Sequence, residues 1–368
     1  MVRPMARATV EVITPFHYPH LKEMVHQTGS VIRAGGRTHP IELMLHAYIA
    51  KLGNVIAAPK YPGLLDPTNN LVVLPHPIDE PQSPRINAFG AVAKTVSDSR
   101  VTIAYTPSGQ VISEQVVKTL SSGGYGLFIL DCVVGAHHAR EVLGDGFPML
   151  VPDTLDDRRR FLLGLAGVKP SQFIEVPFSQ GTELRNALVV SRVLARDPIY
   201  EIGGRPRNLR CLVDPIYTNS FNDVIADRYG GDKPRRIYIS RDDATVRRVS
   251  NESTLTDRLS EFGFEAHKLG TLDIETSVAM FANAEMIVTP HGSGAFNNLF
   301  APRSATVIEI DHPRNDFVPF GISRSLGQRY RVFNRVPENQ RQRSNQDHQT
   351  VDVDALSVLV ASELDRRQ

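Results

Sequence analysis

From Arg235 onward the chain alternates short apolar strands with amphipathic helices across very short links, and this pattern narrows the fold more than any other stretch. RRIYIS reads as a strand. Ser253 or Thr254 is placed to cap a helix that turns Leu255, Leu259 and Phe262 to one side, and Gly263 ends it. FEAHKL gives a second strand. Ile274, Val278 and Phe281 mark a second helix, and EMIVTP gives a third strand closed by Pro290. HGSGAFNNLF is a glycine-rich turn running into a short helix, ATVIEID a fourth strand and YRVF a fifth. Such repetition predicts an α/β unit with a parallel, doubly wound sheet and right-handed crossovers. The last helix, in VDVDALSVLVASELDRR, turns Leu356, Leu359, Val360 and Leu364 inward. Its Asp352-Val-Asp354 string reads as a helix cap rather than a metal site.

Upstream the signal is weaker. Proline-rich breaks (AAPKYPGLLDPTNN, LPHPIDEPQSP) separate short strands such as LVVLP and RVTIAY. From Gly126 the α/β alternation returns. LFILDCVV is a continuous apolar run of strand or buried-helix type, and PMLVPD is a buried strand ending at Pro152. Asp153 or Thr154 would cap a helix carrying Leu155, Phe161, Leu162 and Leu165 that stops near Gly167, and QFIEVPF is the next strand. Paired glycines, prolines and charges crowd residues 195–235, as in a linker or in surface loops, and make it the best boundary region. A length of 368 residues suits two domains, set at 1–215 and 216–368.

Composition removes several function classes. Lys and Arg total 41 against 40 Asp and Glu, so a broadly basic nucleic-acid binder or a polybasic membrane-surface protein is not expected. Two cysteines, Cys132 and Cys211, are too few for a disulfide scaffold or a four-thiolate zinc site, and both read as small buried apolar residues. No run approaches about 18 apolar residues, and the N-terminus lacks the apolar core of a signal peptide. The expectation is a cytoplasmic protein.

The residues able to carry chemistry gather at strand ends. The turn Thr289 to Asn298 follows a buried strand and opens a helix, where backbone amides of Gly292, Ser293 and Gly294 can cradle an anion. Gly292-Ser-Gly294 also begins a dinucleotide fingerprint, and Asp311 lies 19 residues beyond Gly292 as a ribose contact would. Asn297 replaces the third glycine, however, and at least two strands precede the turn, so a nicotinamide enzyme is the lesser reading. Ser240 and Arg241 end a strand at the same sheet edge, where an arginine can hold a diphosphate with paired hydrogen bonds. Arg247, Arg248, Asn251 and Glu252 follow. Glu309, ending ATVIE, suits ribose hydroxyls. The His137-His138 pair reads as exposed loop, and Asp242-Asp243 is a weak metal signal.

The stretch from Arg236 to Asp311 resembles the C-terminal half of glycosyltransferase family 61. The resemblance rests on Ile239-Ser-Arg241, Ala244 to Glu252, Gly263-Phe-Glu265, Pro290 to Phe300 and Val307-Ile-Glu309. It implies two Rossmann-like domains in a GT-B-like arrangement with an interdomain cleft. The C-terminal domain would bind a nucleotide-sugar, UDP-linked by analogy, through Ser240, Arg241, Arg247, Arg248, Asn251, Glu252, His291, Gly292, Ser293, Gly294, Asn297, Asn298 and Glu309. Transfer to a glycan or lipid-linked acceptor would be inverting, with no metal and no cofactor, in cell-surface polysaccharide synthesis such as capsule formation. The lipid-linked acceptor could draw the protein to the inner face of the membrane. In the family's N-terminal H-x-x-x-D element, Asp131 matches the acid and Leu127 replaces the histidine. Asp131 is the first candidate for the catalytic base, its burial expected to raise its pKa, and His291 is the second. A nucleotide-sugar-binding protein without catalysis is the third reading.

Overall fold

The computed structural model describes residues 5–13, 18–27, 30–35, 40–45, 47–61, 63–74, 100–119, 124–197, 201–202, 205–206, 210–231, 235–310, 318–333, 336–337 and 348–367. Its contacts divide the chain into two units, Met1–Arg207 with Asp214–Tyr217, and Asn208–Val213 with Thr218–Gln368.

The N-terminal unit is built on β1 (Ala6–Ile13), β2 (Glu23–Gln27), β3 (Tyr48–Leu52), β4 (Val55–Ala57), β5 (Leu64–Asp66), β6 (Leu71–Val73) and β7 (Arg100–Lys118). A helical run α1 follows, made of Tyr125–Leu127, a π-helical stretch Phe128–Val134 and Gly135–Leu143. Then come β8 (Met149–Pro152), α2 (Asp157–Leu165), β9 (Phe173–Val176) and β10 (Gln180–Val190). The sheet order is β9-β8-β7-β1-β6-β5-β4-β10-β3-β2, and β7 also pairs with β10. β7 is antiparallel to β1 over its first residues and parallel to β10 from Thr106 to Lys118, so six strands close a circuit. Leu52, Val55, Leu64, Val73, Val116, Leu184 and Val189 share one of its cores.

This sheet is mixed and largely antiparallel, and so departs from the parallel sheet expected of a Rossmann-like N-terminal domain. Only β7-β8-β9, linked by α1 and α2, keeps the strand–helix–strand form. The LFILDCVV run is helical. The second helix starts later than expected: Asp156 caps it, accepting from the Arg159 amide at 2.8 Å, while Asp153 accepts from the Phe178 amide at 3.2 Å. Gly167 (φ +85°) takes the left-handed turn that ends α2.

Next in the chain is α3 (Pro215–Tyr229). The C-terminal unit continues with β11 (Arg235–Ser240), α4 (Glu252–Ser260), β12 (Phe264–Lys268), α5 (Ile274–Ala282), β13 (Ala284–Pro290), a 3-10 segment Ser293–Phe300, β14 (Thr306–Ile310), α6 (Val318–Leu326), β15 (Arg329–Phe333) and α7 (Val353–Asp365). All pairings in its five-stranded sheet are parallel, in the order β12-β11-β13-β14-β15. The strand runs are apolar because both faces are covered; Tyr238, Met286, Val288 and Ile308 pack against Leu255, Leu259, Leu356 and Val360 of α4 and α7. Asp273 and Asp352 cap α5 and α7 through the amides of Thr276 (2.8 Å) and Ala355 (3.0 Å). The cap of α4 differs from expectation. Asn251 holds the N-cap position, one residue ahead of Glu252, and Ser253 lies inside the helix.

This order has a functional consequence. The chain leaves β11 to one side through β12 and returns on the other side through β13. The carboxyl ends of β11 and β13 therefore flank a topological switch point, where open α/β sheets bind ligands.

Candidate active site

At that switch point β11 delivers Arg241 and β13 delivers His291 and Gly292. The Arg241 guanidinium lies over the Gly292 backbone: a Cβ on Gly292 would sit 2.3 Å from its Nη1. Glycine lets the guanidinium approach this closely, since any side chain would push it away. Arg241 Nη2 donates to the Val246 carbonyl at 3.3 Å, whereas its buried Nε–H has no hydrogen-bond partner among the described residues. Arg247 repeats the pattern, its buried Nε without a partner among the described residues as well, and its backbone is left-handed at φ +57°. A bulky residue in that region is a strained choice, of the kind that clusters at binding sites. Burial lowers the Arg241 pKa, and the Arg247 charge lowers it further, while Asp243 and Glu252 pull the other way. Two half-buried guanidiniums with unfilled Nε donors lie close enough for their charges to repel, an arrangement that favours an anion between them.

Behind the turn sits a buried acid–base pair. His291 Nδ1 and Glu309 Oε1 are 2.7 Å apart, His291 is 6% exposed and Glu309 fully buried. Glu309 Oε2 accepts from the Tyr330 hydroxyl. The His291 amide donates to the Ile310 carbonyl at 3.0 Å, locking the turn to β14.

The remaining nucleotide-site candidates divide in two groups. Ser293 is exposed and Gly294 partly so at the start of the 3-10 segment, at the mouth of the turn. The others are occupied with holding the fold. Ser240 Oγ accepts from the Asp242 amide at 3.1 Å. Glu252 Oε1 accepts from the Tyr238 hydroxyl at 2.7 Å and the Arg241 amide at 3.3 Å, fixing the end of β11. Asn251 pairs in both directions with the Val351 backbone, at 2.8 and 3.0 Å. Arg248 donates through Nε to the Ala244 carbonyl, and its backbone bonds His348 and Gln349. Asn297 bonds the Gly294 carbonyl, and Asn298 bonds the Pro319 carbonyl and Ser323 Oγ. Asp242 and Asp243 are engaged by Lys268 and the Gly270 amide. Asp311 lies outside the described residues. Among the described residues no cluster of three or more His, Cys, Asp or Glu gathers as metal ligands.

In the N-terminal unit, Asp131 is 2% exposed within the π-helical stretch. Its oxygens are held by Arg192 just beyond β10, Nε at 3.2 Å and Nη2 at 2.8 Å. Sequence reasoning missed Arg192, because the pairing spans 61 residues. It missed Tyr330 for the same reason. The expectation that His137 and His138 lie in an exposed loop is corrected: both are buried in the last part of α1. His138 stacks on Tyr217 with centroids 3.7 Å apart, and His26 Nε2 meets the Tyr217 hydroxyl at 2.7 Å.

Fold and site thus define a doubly wound α/β unit with Arg241 and a glycine-rich turn at its switch point. The chain belongs to glycosyltransferase family 61: the sequence model of Glycosyltransferase 61 matches residues 84–308, well over half of its length. Membership implies glycosyltransferase activity, with a sugar donor and an acceptor as substrates. No curated protein matches the chain. No helix among the described residues is long and apolar enough to cross a membrane.

Proposed function

We propose that the protein is an inverting glycosyltransferase that moves a sugar from a nucleotide-sugar, UDP-linked, to a glycan or lipid-linked acceptor in cell-surface polysaccharide synthesis. The observation that carries this reading is Arg241 stacked over Gly292 at the switch point, with the unfilled Nε donors of Arg241 and Arg247 beside it. In the GT-B-like division of labour, the C-terminal unit holds the donor and the N-terminal unit the acceptor. The protein would work in the cytoplasm, at the inner face of the membrane when its acceptor is lipid-linked.

A base removes the proton of an acceptor hydroxyl, the oxygen attacks the anomeric carbon, and the bond to the diphosphate breaks with inversion. The charge to be stabilised grows on the departing diphosphate. Arg241, Arg247 and the amides around Gly292–Gly294 answer it by preorganised electrostatics, without a metal. Asp131 is the base of this scheme. Its pairing with Arg192 holds the carboxylate until an acceptor hydroxyl takes the place of the guanidinium. If Asp131→Asn keeps full turnover, the base is another group, His291 first among them.

A thermal-shift panel tests the reading, with UDP, GDP, CMP, common nucleotide-sugars and NAD⁺, each with and without Mn²⁺. A ligand of the folded state raises the melting temperature by mass action. A shift with one nucleoside diphosphate that vanishes in Arg241→Ala is expected. A shift with NAD⁺ alone, or with nothing, contradicts it.

A further inference from the structure

Glu309 stands at the strand end where a ribose contact is expected, yet its geometry points elsewhere. It is fully buried, and each carboxylate oxygen already has a partner, His291 Nδ1 on one side and the Tyr330 hydroxyl on the other. A ribose diol would have to displace one of them. The backbone supports the same arrangement: β14 pairs in parallel with β13 and β15, and Tyr330 lies opposite Val307, two residues before Glu309 and so on the same face. His291 follows β13, Glu309 is the penultimate residue of β14, and Tyr330 rises from β15.

We propose that Tyr330 and Glu309 are positioning residues that act through His291. A carboxylate accepts and does not donate, so its contact with Nδ1 holds a ring proton there. The Tyr330 hydroxyl holds the carboxylate in the orientation that does so. Nε2 is then the ring nitrogen left as an acceptor, suited to a hydroxyl of the donor sugar rather than to its diphosphate. A ring with the other tautomer would present an N–H at that place instead. The inference rests on the proposed transferase reading, but the state of the ring can be measured without turnover.

The test is Glu309→Gln, a change that keeps shape. A glutamine amide can donate to Nδ1, which reverses the tautomer. Three readouts separate the roles. Long-range ¹H–¹⁵N spectra of His291 in the full-length protein at pH 8 should show the Nδ1–H form in the parent and its loss in Glu309→Gln. Turnover should fall about 10- to 100-fold, the range known for losing a carboxylate that orients a functional histidine. The affinity for UDP should stay within about threefold. Tyr330→Phe, which removes only the hydroxyl, should lower turnover by a smaller factor with UDP affinity unchanged, and it serves if Glu309→Gln does not fold. A parent-like tautomer in a folded Glu309→Gln overturns the inference. So does a fall in UDP affinity with turnover at saturating donor unchanged, which marks Glu309 as a ribose contact. If the tautomer switches between the parent and Glu309→Gln, yet the parent neither binds UDP nor transfers sugar, the positioning of His291 stands and the transferase reading fails.

Discussion

Replacing Gly292 by alanine separates the donor site from the fold. The added Cβ would lie 2.3 Å from Arg241 Nη1 and 3.1 Å from its Cζ. Ordinary carbon–nitrogen contact begins near 3.4 Å, so the guanidinium must retreat by about 1 Å. The backbone tolerates the change, since Gly292 is extended (φ 162°, ψ −179°) and any residue adopts that conformation. The obstructing atom is the end of a flexible side chain, which moves at little cost. Stability should therefore change by less than about 1 kcal/mol. Binding should not be spared. A charge-assisted hydrogen bond to phosphate is worth about 1.5–3 kcal/mol, or roughly 10- to 150-fold in Kd. Isothermal titration with UDP, beside a thermal melt, reads both quantities. An unaltered Kd in a normally folded Gly292→Ala protein would refute the argument that Arg241 over Gly292 holds the diphosphate. A collapse of the melt would refute the claim that the clash is absorbed locally.

Three other perturbations follow from the same geometry. Lys118 is buried, its ammonium bonded among the described residues to the Tyr61 and Thr119 carbonyls at 3.3 and 3.2 Å, and burial lowers its pKa from 10.5 to about 8. Between those values the unfolded chain keeps a proton that the folded chain releases, so stability should rise from pH 8 to 10; Lys118→Met should add about 2 kcal/mol at pH 7 and flatten that rise in urea titrations. Burial, with His26 and His137 nearby, lowers His138 to about 3. From pH 6.5 down to about 3 the unfolded chain takes up the proton that the folded ring refuses, so stability should fall by about 1.4 kcal/mol per pH unit, and His138→Phe, which keeps a ring on Tyr217, should reduce that slope in denaturation curves. Arg247→Gly relieves a left-handed arginine and removes a cation: the melting temperature should hold or rise while UDP binds about tenfold more weakly.

The C-terminal unit was legible because its signals are local. Buried parallel strands are continuous apolar runs, and Asp273 and Asp352 cap helices three residues away. The approach of Arg241 to Gly292 was legible only as a shared sheet edge; their contact depends on the strand order. The N-terminal sheet hid for physical reasons. Its longest strand, β7, contains Pro107-Ser-Gly109, with Gly109 at φ +76°, and in sequence this reads as a turn. The pairing of β7 with β10 slips register twice, so no clean alternation survives. His137 and His138 looked like solvent-facing polar residues, but His138 is enclosed by aromatic neighbours. Asn251, Glu252 and Asn298, read as ligand contacts, also bond within the fold. In sequence, a polar side chain that satisfies a buried backbone group cannot be told from one that waits for a substrate.

The central claim is that the edge formed by β11 and β13 holds a nucleoside diphosphate. Hydrogen exchange with and without saturating UDP tests it most directly. The account predicts slowed exchange in residues 241–248 and 291–295, and none of that protection in Arg241→Ala. Protection confined to the N-terminal unit, or no protection at saturating UDP, would contradict it.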